Sequence, residues 1–485
     1  MNHLTPETFD ENAKVALADT QLRGALRKAT SQFGKRRLEA ARGLSNWEDL
    51  RSQARAIKDE TLSNLDKYLE EFVSKAEARG VQFHWAVDAS KANEIIVGLI
   101  NERNARTVVK SKSMTTEETH LNEALEKAGA QVVETDLGEY IIQLAHETPS
   151  HIIAPAIHKT KQQVAQLFTS ELGTAPTDDI AELTRTARQT LRDRFAAADV
   201  GISGVNFGIA ETGTILLVEN EGNIRLTTSL PRLHIAVMGI EKVLPRFADL
   251  DVFLKLLPRS GTGQKLATYQ SLITGVKRSA EDEGPEEVHV VLLDNGRSRM
   301  LAHPVTRQSL ACIRCGACLN SCPVYQQIGG HAYGSVYPGP IGSVITPQLI
   351  GLQKAAQLPY ASSLCGACRE VCPVKIDIPR LLLHLRAEIT ERQAEHSLEG
   401  VKSRSSERLA FKVWVKVMTS VRLYKLSAGL GRILQRMVVR NGKIGPKPAN
   451  WLAGPVSAWT VGRDLRPLDS TSFRDRWRNE LSRRQ

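Results

Sequence analysis

Seven cysteines confined to two short stretches constrain this chain more than any other feature. "CIRCGACLNSCP" (312–323) carries Cys312, Cys315, Cys318 and Cys322 at the spacing C-x2-C-x2-C-x3-C-P. "SSLCGACREVCP" (362–373) carries Cys365, Cys368 and Cys372 at C-x2-C-x3-C-P, with Ser362 where a further cysteine would stand. Structural disulfides are usually spread over a secreted domain, and an odd total leaves one thiol unpaired, so these are thiolates arranged for metal. A cube of iron and sulfide needs four soft, anionic ligands at tetrahedral corners. A C-x2-C-x2-C loop wraps three of them around one cube, while the fourth cysteine, followed by proline, turns away.

In two-cluster ferredoxins that fourth cysteine ligates the neighbouring cube. The same exchange here predicts one complete set, Cys312, Cys315, Cys318 and Cys372, and a second set of Cys322, Cys365 and Cys368. The remaining corner of the second falls to Ser362, another side chain, water or a substrate. Two 4Fe-4S clusters are the expected cofactors. Zinc also uses paired C-x2-C motifs, but a full four-cysteine motif with a partial second copy is far more specific to iron-sulfur centres.

At 485 residues the chain has room for two or three domains. Its first residues lack the continuous apolar segment of a signal peptide, and no run of about 18 apolar residues follows, so the expected location is the cytoplasm. The net charge of +11 is local: residues 401–485 hold 19 Lys/Arg against 5 Asp/Glu, which leaves −3 for the first 400. Basicity confined to a tail gives no reason to expect nucleic acid as a partner.

Residues 15–80 read as two long helices, so residues 1–75 are expected to form a helical N-terminal arm. From about 81 the patterns alternate, with "VQFHWAV", "TVVKS", "QVVET", "HIIAPAI", "GTILLVEN", "HIAVMGI" and "VHVVLLDNG" as strands and helices between several of them. That alternation predicts an α/β domain over 76–300, its mainly parallel sheet covered on both faces, with ligands at the carboxyl ends of the strands. Residues 301–392 are loop-rich, which suits a domain folded around inorganic clusters. Residues 393–485 are a basic helical extension. There Arg404, Arg408, Lys412 and Lys416 recur every four residues beside Phe411, Trp414, Val415 and Met418, and Arg432, Arg436 and Arg440 repeat the spacing. This is the pattern of an amphipathic basic helix or helix pair.

Three stretches carry a family resemblance: "ISGVNFGIAETGTILLVENEGNIRLTTSLPRLHIAVMG" (202–239), "ACIRCGACLNSCPVYQQIGGHAYGSVYPGPIGSVITP" (311–347) and "SSLCGACREVCPVKIDIPRLL" (362–382). With them the chain resembles the lactate utilisation protein B family, iron-sulfur subunits of bacterial L-lactate oxidation systems. The resemblance implies that residues from about 75 to 300 form a lactate utilisation domain, similar in fold to sugar-phosphate isomerase and CoA-transferase-like α/β sheets. A bacterial-ferredoxin-like domain with two 4Fe-4S clusters on the seven cysteines would follow. The resemblance also implies a role in passing electrons as L-lactate becomes pyruvate. It implies two companion subunits, one cysteine-rich and one a shorter lactate utilisation domain protein. A second motif with three cysteines is typical of the family, so Ser362 is not a damaged site.

Other residues offer candidate sites. "VVKSKSMTTEE" places Lys110, Ser111, Lys112 and Ser113 between a strand and a helix, where lysines and backbone N–H groups can hold a carboxylate or phosphate. Thr115 and Glu118, at capping-box spacing, favour plain capping instead. Glu211, Thr212, Thr214, Gly261, Thr262 and Gln264 fall near strand or turn ends. Glu211 is the kind of carboxylate that acts as a nucleophile in CoA-transferase-like sheets, but nothing supplies an acid/base partner, so no catalytic residue is assigned. His331 is a candidate fourth ligand of the second cube, although packing of Tyr333 and the neighbouring glycines over the clusters is the simpler reading. No dinucleotide fingerprint or P-loop is present.

The leading function is therefore electron transfer from a lactate-oxidising partner to an acceptor. The alternative is a self-sufficient enzyme whose open cluster polarises a hydroxy acid as a Lewis acid. The basic tail suits peripheral contact with the inner face of a membrane, or a solvated face over an apolar stripe buried on the protein's own core.

Overall fold

The computed structural model describes residues 5–279, 282–394, 405–437, 439–440, 443–444 and 466–481. The chain forms two compact units, Met1–Gly400 and Val401–Gln485.

Along the first unit run β1 (Val81–Ala86), β2 (Thr107–Lys110), β3 (Gln131–Glu134), β4 (Val200–Gly204), β5 (Phe207–Ile209), β6 (Thr214–Glu219), β7 (Leu233–Gly239), β8 (Val243–Leu244), β9 (Tyr269–Ile273) and β10 (Glu287–Leu293). Six of them form one sheet in the order β1-β10-β7-β4-β2-β3, with every neighbour parallel. The remaining four form a smaller mixed sheet in the order β8-β5-β6-β9.

The large sheet reads as near-continuous apolar runs because both faces are covered. Successive side chains alternate between the faces. Ile235, Val237, Val291 and Leu293 pack with Ile96 and Leu99 of helix Ala89–Glu102 and with Leu121 and Leu125 of helix Leu121–Lys127. Ala236, Met238, Val290 and Leu292 pack instead with Leu69 and Phe72 of helix Leu65–Glu77 and with Ile215 and Leu217 of the small sheet.

One expected strand needs correction, and one strand was not expected. "HIIAPAI" is a buried turn: the His151 imidazole takes the Ile153 and Ala154 N–H groups at 3.1 and 3.2 Å, and Pro155 has no N–H to give a sheet. Conversely, "VGISG" forms the central strand β4, its apolar periodicity hidden by two glycines.

The N-terminal segment is helical as expected but divides into four helices, Phe9–Ala18, Thr20–Arg42, Trp47–Ser63 and Leu65–Glu77. Asp19 starts the second of these by accepting the Leu22 N–H at 2.9 Å. These helices close over the cysteine segment: Leu26, Leu50 and Ala54 share one core with Cys318, Tyr325 and Tyr333.

In the second unit Ser405–Thr419 and Val421–Leu434 form the expected helix pair, with Phe411, Trp414, Val415 and Met418 exposed. The second helix ends at Leu434, so Arg436 falls in the following turn and Arg440 in a short hairpin strand, and the spacing does not continue on one helix. Arg404 lies outside the described residues. Among the described residues, no helix is long and apolar enough to cross a membrane.

Candidate metal centre

Both cysteine loops use the same backbone. Arg314 and Gly316 take left-handed φ values of +58° and +73°, and Leu364 and Gly366 take +55° and +87°. Each glycine then opens a short helix, Ala317–Ser321 or Ala367–Val371. This register sets Ser362 at the place of Cys312, and the hydrogen bonding agrees. The Arg314 N–H donates to Cys312 Sγ at 3.4 Å, and the Leu364 N–H donates to Ser362 Oγ at 3.1 Å. A left-handed residue other than glycine costs about 1–2 kcal/mol, so Arg314 and Leu364 hold a shape dictated by what the loop encloses.

All seven thiols are free, and Cys315, Cys318, Cys322, Cys368 and Cys372 are buried. Burial pushes Cys315 and Cys318 far above the ordinary thiol range, Cys368 up to about 12 and Cys372 up to about 11, and it raises Cys322 as well. Charge on neighbouring sulfurs adds to this. Cys315 feels Cys372 and Cys312, and Cys372 feels Cys312, whereas Cys322 feels Cys365, and Cys368 feels Cys322 and Cys365. Cys318 feels sulfurs from both stretches, Cys312 and Cys315 as well as Cys368 and Cys372. Buried thiols crowded in this way become thiolates only when a metal supplies the compensating charge.

Two donors point to the same conclusion. Tyr333 Oη and Arg37 Nε are buried without a hydrogen-bond partner among the described residues. Tyr333 lies by Cys322 and Cys318, and Arg37 by Cys315 and Cys372. Cluster sulfur accepts such donors, which tunes its potential, so the residues present fit 4Fe-4S centres.

Side chains far away in sequence hold the loops. Arg51 donates to the Cys372 carbonyl from Nε at 3.1 Å and Nη2 at 2.8 Å, and Arg37 donates to the Val371 carbonyl at 3.1 Å. Arg386 reaches the carbonyls of Pro359 and Ser362 at 2.9 and 3.1 Å. His151, neutral because burial drops it to about 3, pairs with Asn320 at 3.1 Å. No local motif marks these residues: Arg51 is 321 positions from Cys372.

The other sequence candidates separate. Lys110 is fully buried and pairs with Glu134 at 2.7 Å and Glu117 at 2.9 Å, so it is no ligand for a small molecule. The helix at Met114–Glu118 is capped by Ser113, which accepts the Thr116 N–H, and not by a Thr115–Glu118 box. Glu118 instead pairs with Arg297 at 2.8 Å and accepts from Tyr337 at 2.7 Å. Glu211 is exposed and accepts the Phe247 N–H at 2.7 Å. His331 bonds the Thr148 carbonyl at 2.6 Å and packs on His158, while buried Tyr333 lies by Cys322 and Cys318.

Gly261, Thr262 and Gln264 do meet Ser111, Lys112 and Ser113, around a cavity of about 300 Å³ at the carboxyl ends of β2 and β4. Its far wall is Ile313, Arg314 and Cys315 of the first cysteine loop. Sequence patterns placed a ligand site at these strand ends but not its contact with the loop.

Three family models match: the LUD domain over residues 69–293, the 4Fe-4S dicluster domain over 308–376, and lactate utilisation protein B, C-terminal, over 384–482. Lactate utilization protein B of Anoxybacillus flavithermus is 45% identical over 471 residues, covering 96% of each chain. The proteins of the same name from Bacillus velezensis and Bacillus subtilis are 44% and 43% identical, covering 96% and 97% of this chain and 96% and 95% of their own. A solved structure of a DUF162 family protein from Deinococcus radiodurans matches 47% of this chain and 98% of its own at 14% identity, with a TM-score of 0.26.

Proposed function

Because the chain belongs to the lactate utilisation protein B family and takes part in lactate utilisation, we propose that it does so as an electron-transfer subunit carrying two 4Fe-4S clusters. Cys312, Cys315, Cys318 and Cys372 hold one centre in this reading. Cys322, Cys365 and Cys368 hold the other, with Ser362 at its fourth corner. Bound there, the clusters supply one-electron transfer at potentials set by their surroundings.

The chain's own residues do the rest. Arg51 and Arg386 fix the two turns, Tyr333 and Arg37 keep unpartnered donors near the sulfurs, and the N-terminal helices exclude water from the first loop. The observation that carries the reading is the pair of superposable loops, each with its left-handed residues and its N–H bond to position 312 or 362.

Anaerobically prepared protein should contain about eight irons per chain and show two interacting centres by electron spin resonance after reduction. About four irons, or none, would overturn the assignment. Lactate turnover by the purified chain alone would favour the Lewis-acid alternative.

The same reading places the protein in the cytoplasm. Its partners would be a cysteine-rich subunit and a shorter lactate utilisation domain protein, and its basic helix pair would touch the inner membrane face. Co-purification with the two companions tests the first of these assignments, and vesicle co-sedimentation with and without residues 401–485 tests the last.

A further inference from the structure

The cavity beside the first cysteine loop is lined by cationic side chains whose donors lack acceptors. Lys112 Nζ and Arg314 Nη1 are buried without a hydrogen-bond partner among the described residues, and both residues line the cavity. The carboxylate nearest to Lys112, that of Glu139, stands at 3.9 Å, beyond hydrogen-bond reach. Lys242 is only 8% exposed, also lines the cavity, and has neither a hydrogen bond nor an ion pair among the described residues.

The acids of the lining are already engaged. Asp136 caps helix Leu137–Leu144, Glu219 accepts the Ile224 and Arg225 N–H groups at 2.7 and 3.0 Å, and Glu221 accepts the Leu137 N–H at 3.1 Å. The lining thus holds three cations and three carboxylates, and Arg314 Nη2 stands 3.6 Å from Glu241. What Lys112 Nζ and Arg314 Nη1 lack is a hydrogen-bond acceptor, and a charged donor left buried without one is costly.

We propose that this cavity binds a small organic carboxylate between the carboxyl ends of β2 and β4 and the Cys312–Cys318 loop. The carboxylate takes the place facing Lys112, Lys242 and Arg314. Ile152, Ile153, Leu257 and Ile313 give the carbon end an apolar wall that a bare inorganic anion would not use. The volume of about 300 Å³ admits a short 2-hydroxy or 2-oxo acid. Naming L-lactate and pyruvate as that acid rests on the function proposed above; the anion site itself rests on geometry alone. Because Cys315 lines the cavity, an occupant sits against the first centre and away from the loop with the open corner.

The test is calorimetric titration of anaerobic holoprotein with L-lactate, pyruvate and inorganic phosphate, repeated on Lys112→Met, Lys242→Met and the charge-retaining Lys112→Arg. Lactate and pyruvate should compete for one site, and each Met variant should weaken binding about ten-fold or more, as loss of a charge-assisted bond does. Lys112→Arg should retain most of the affinity, and iron and sulfide content should stay at the wild-type level in all three. Pyruvate should also shift the resonance of one reduced centre.

Several outcomes would overturn the proposal: no carboxylate binding at tens of millimolar, unchanged affinity in both Met variants, or phosphate binding as tightly as the acids. Full iron content without carboxylate binding defeats this site and leaves the electron-carrier reading standing. Lost iron in the wild type defeats that reading instead.

Discussion

The Cys312–Cys318 loop and the Ser362–Cys368 loop share one backbone and differ in everything around it. The first is an inner loop, with Cys315 and Cys318 buried, and its Gly316 is so closely packed that a Cβ there would lie 3.1 Å from the His151 ring. The second is an outer loop, with Cys365 exposed and open space where a Cβ on Gly366 would point. The inner loop faces the cavity of the α/β domain, and the outer loop faces solvent. One scaffold thus gives an inner site next to a cavity and an outer site open to solvent.

Paired substitutions can break this comparison, and the largest difference is expected at the thiols. Cys315→Ala opens a hole in the shared core and removes an inner ligand, so both centres should be lost. Cys365→Ala removes an exposed side chain and should leave about half of the iron. Iron and sulfide counts on anaerobic protein decide, and equal losses would mean that the loops are not inner and outer.

The next contrast lies in the arginines. Arg51→Ala removes charge-assisted bonds to the carbonyls of Cys372 and Glu370 and leaves the former only the Lys375 N–H among the described residues. It should cost about 2–3 kcal/mol, against about 1 kcal/mol for the partly exposed Arg386→Ala. Thermal unfolding of the holoprotein measures both.

Gly316→Ala and Gly366→Ala each force a left-handed alanine, for about 1–2 kcal/mol. Only the first adds crowding against His151, so its melting point should fall further.

The smallest energetic effect is at Ser362. Ser362→Ala loses the bond from the Leu364 N–H, about 1 kcal/mol, while Ser362→Cys keeps an acceptor in place. Reduced-state resonance should change for one centre only and should become more alike between the two centres in the Cys variant. Identical spectra in all three forms would remove Ser362 from the outer centre.

Much of the site was legible because cluster ligation is written in short-range spacing. The run 312–322 folds locally, and the partial copy at 365–372 repeats its backbone turn, so the place of the two loops follows from counting residues. The parallel strands β1, β2, β3, β7 and β10 were equally readable as apolar runs between helices. Strand β4 was not, because glycine carries no hydropathy signal, and "HIIAPAI" misled because an apolar run with proline suits a buried turn as well as a strand. The capping box failed at Thr115 because Ser113 is the better-placed hydroxyl, while Glu118 has a buried arginine to satisfy.

Local sequence, then, determined which thiols gather and that a parallel sheet stands before them, since both depend on spacing over a few residues. Which loop is buried, which arginines anchor the turns, and which lysine faces a cavity were decided only in three dimensions. Lys110 and Lys112 show why. Two residues apart and chemically alike, one is matched by Glu117 and Glu134 and the other has its nearest carboxylate, Glu139, at 3.9 Å, because Lys110 ends β2 while Lys112 lies past it, in the loop that leads to helix Met114–Glu118. Those neighbours come from distant parts of the chain, and no pattern along it records where they meet.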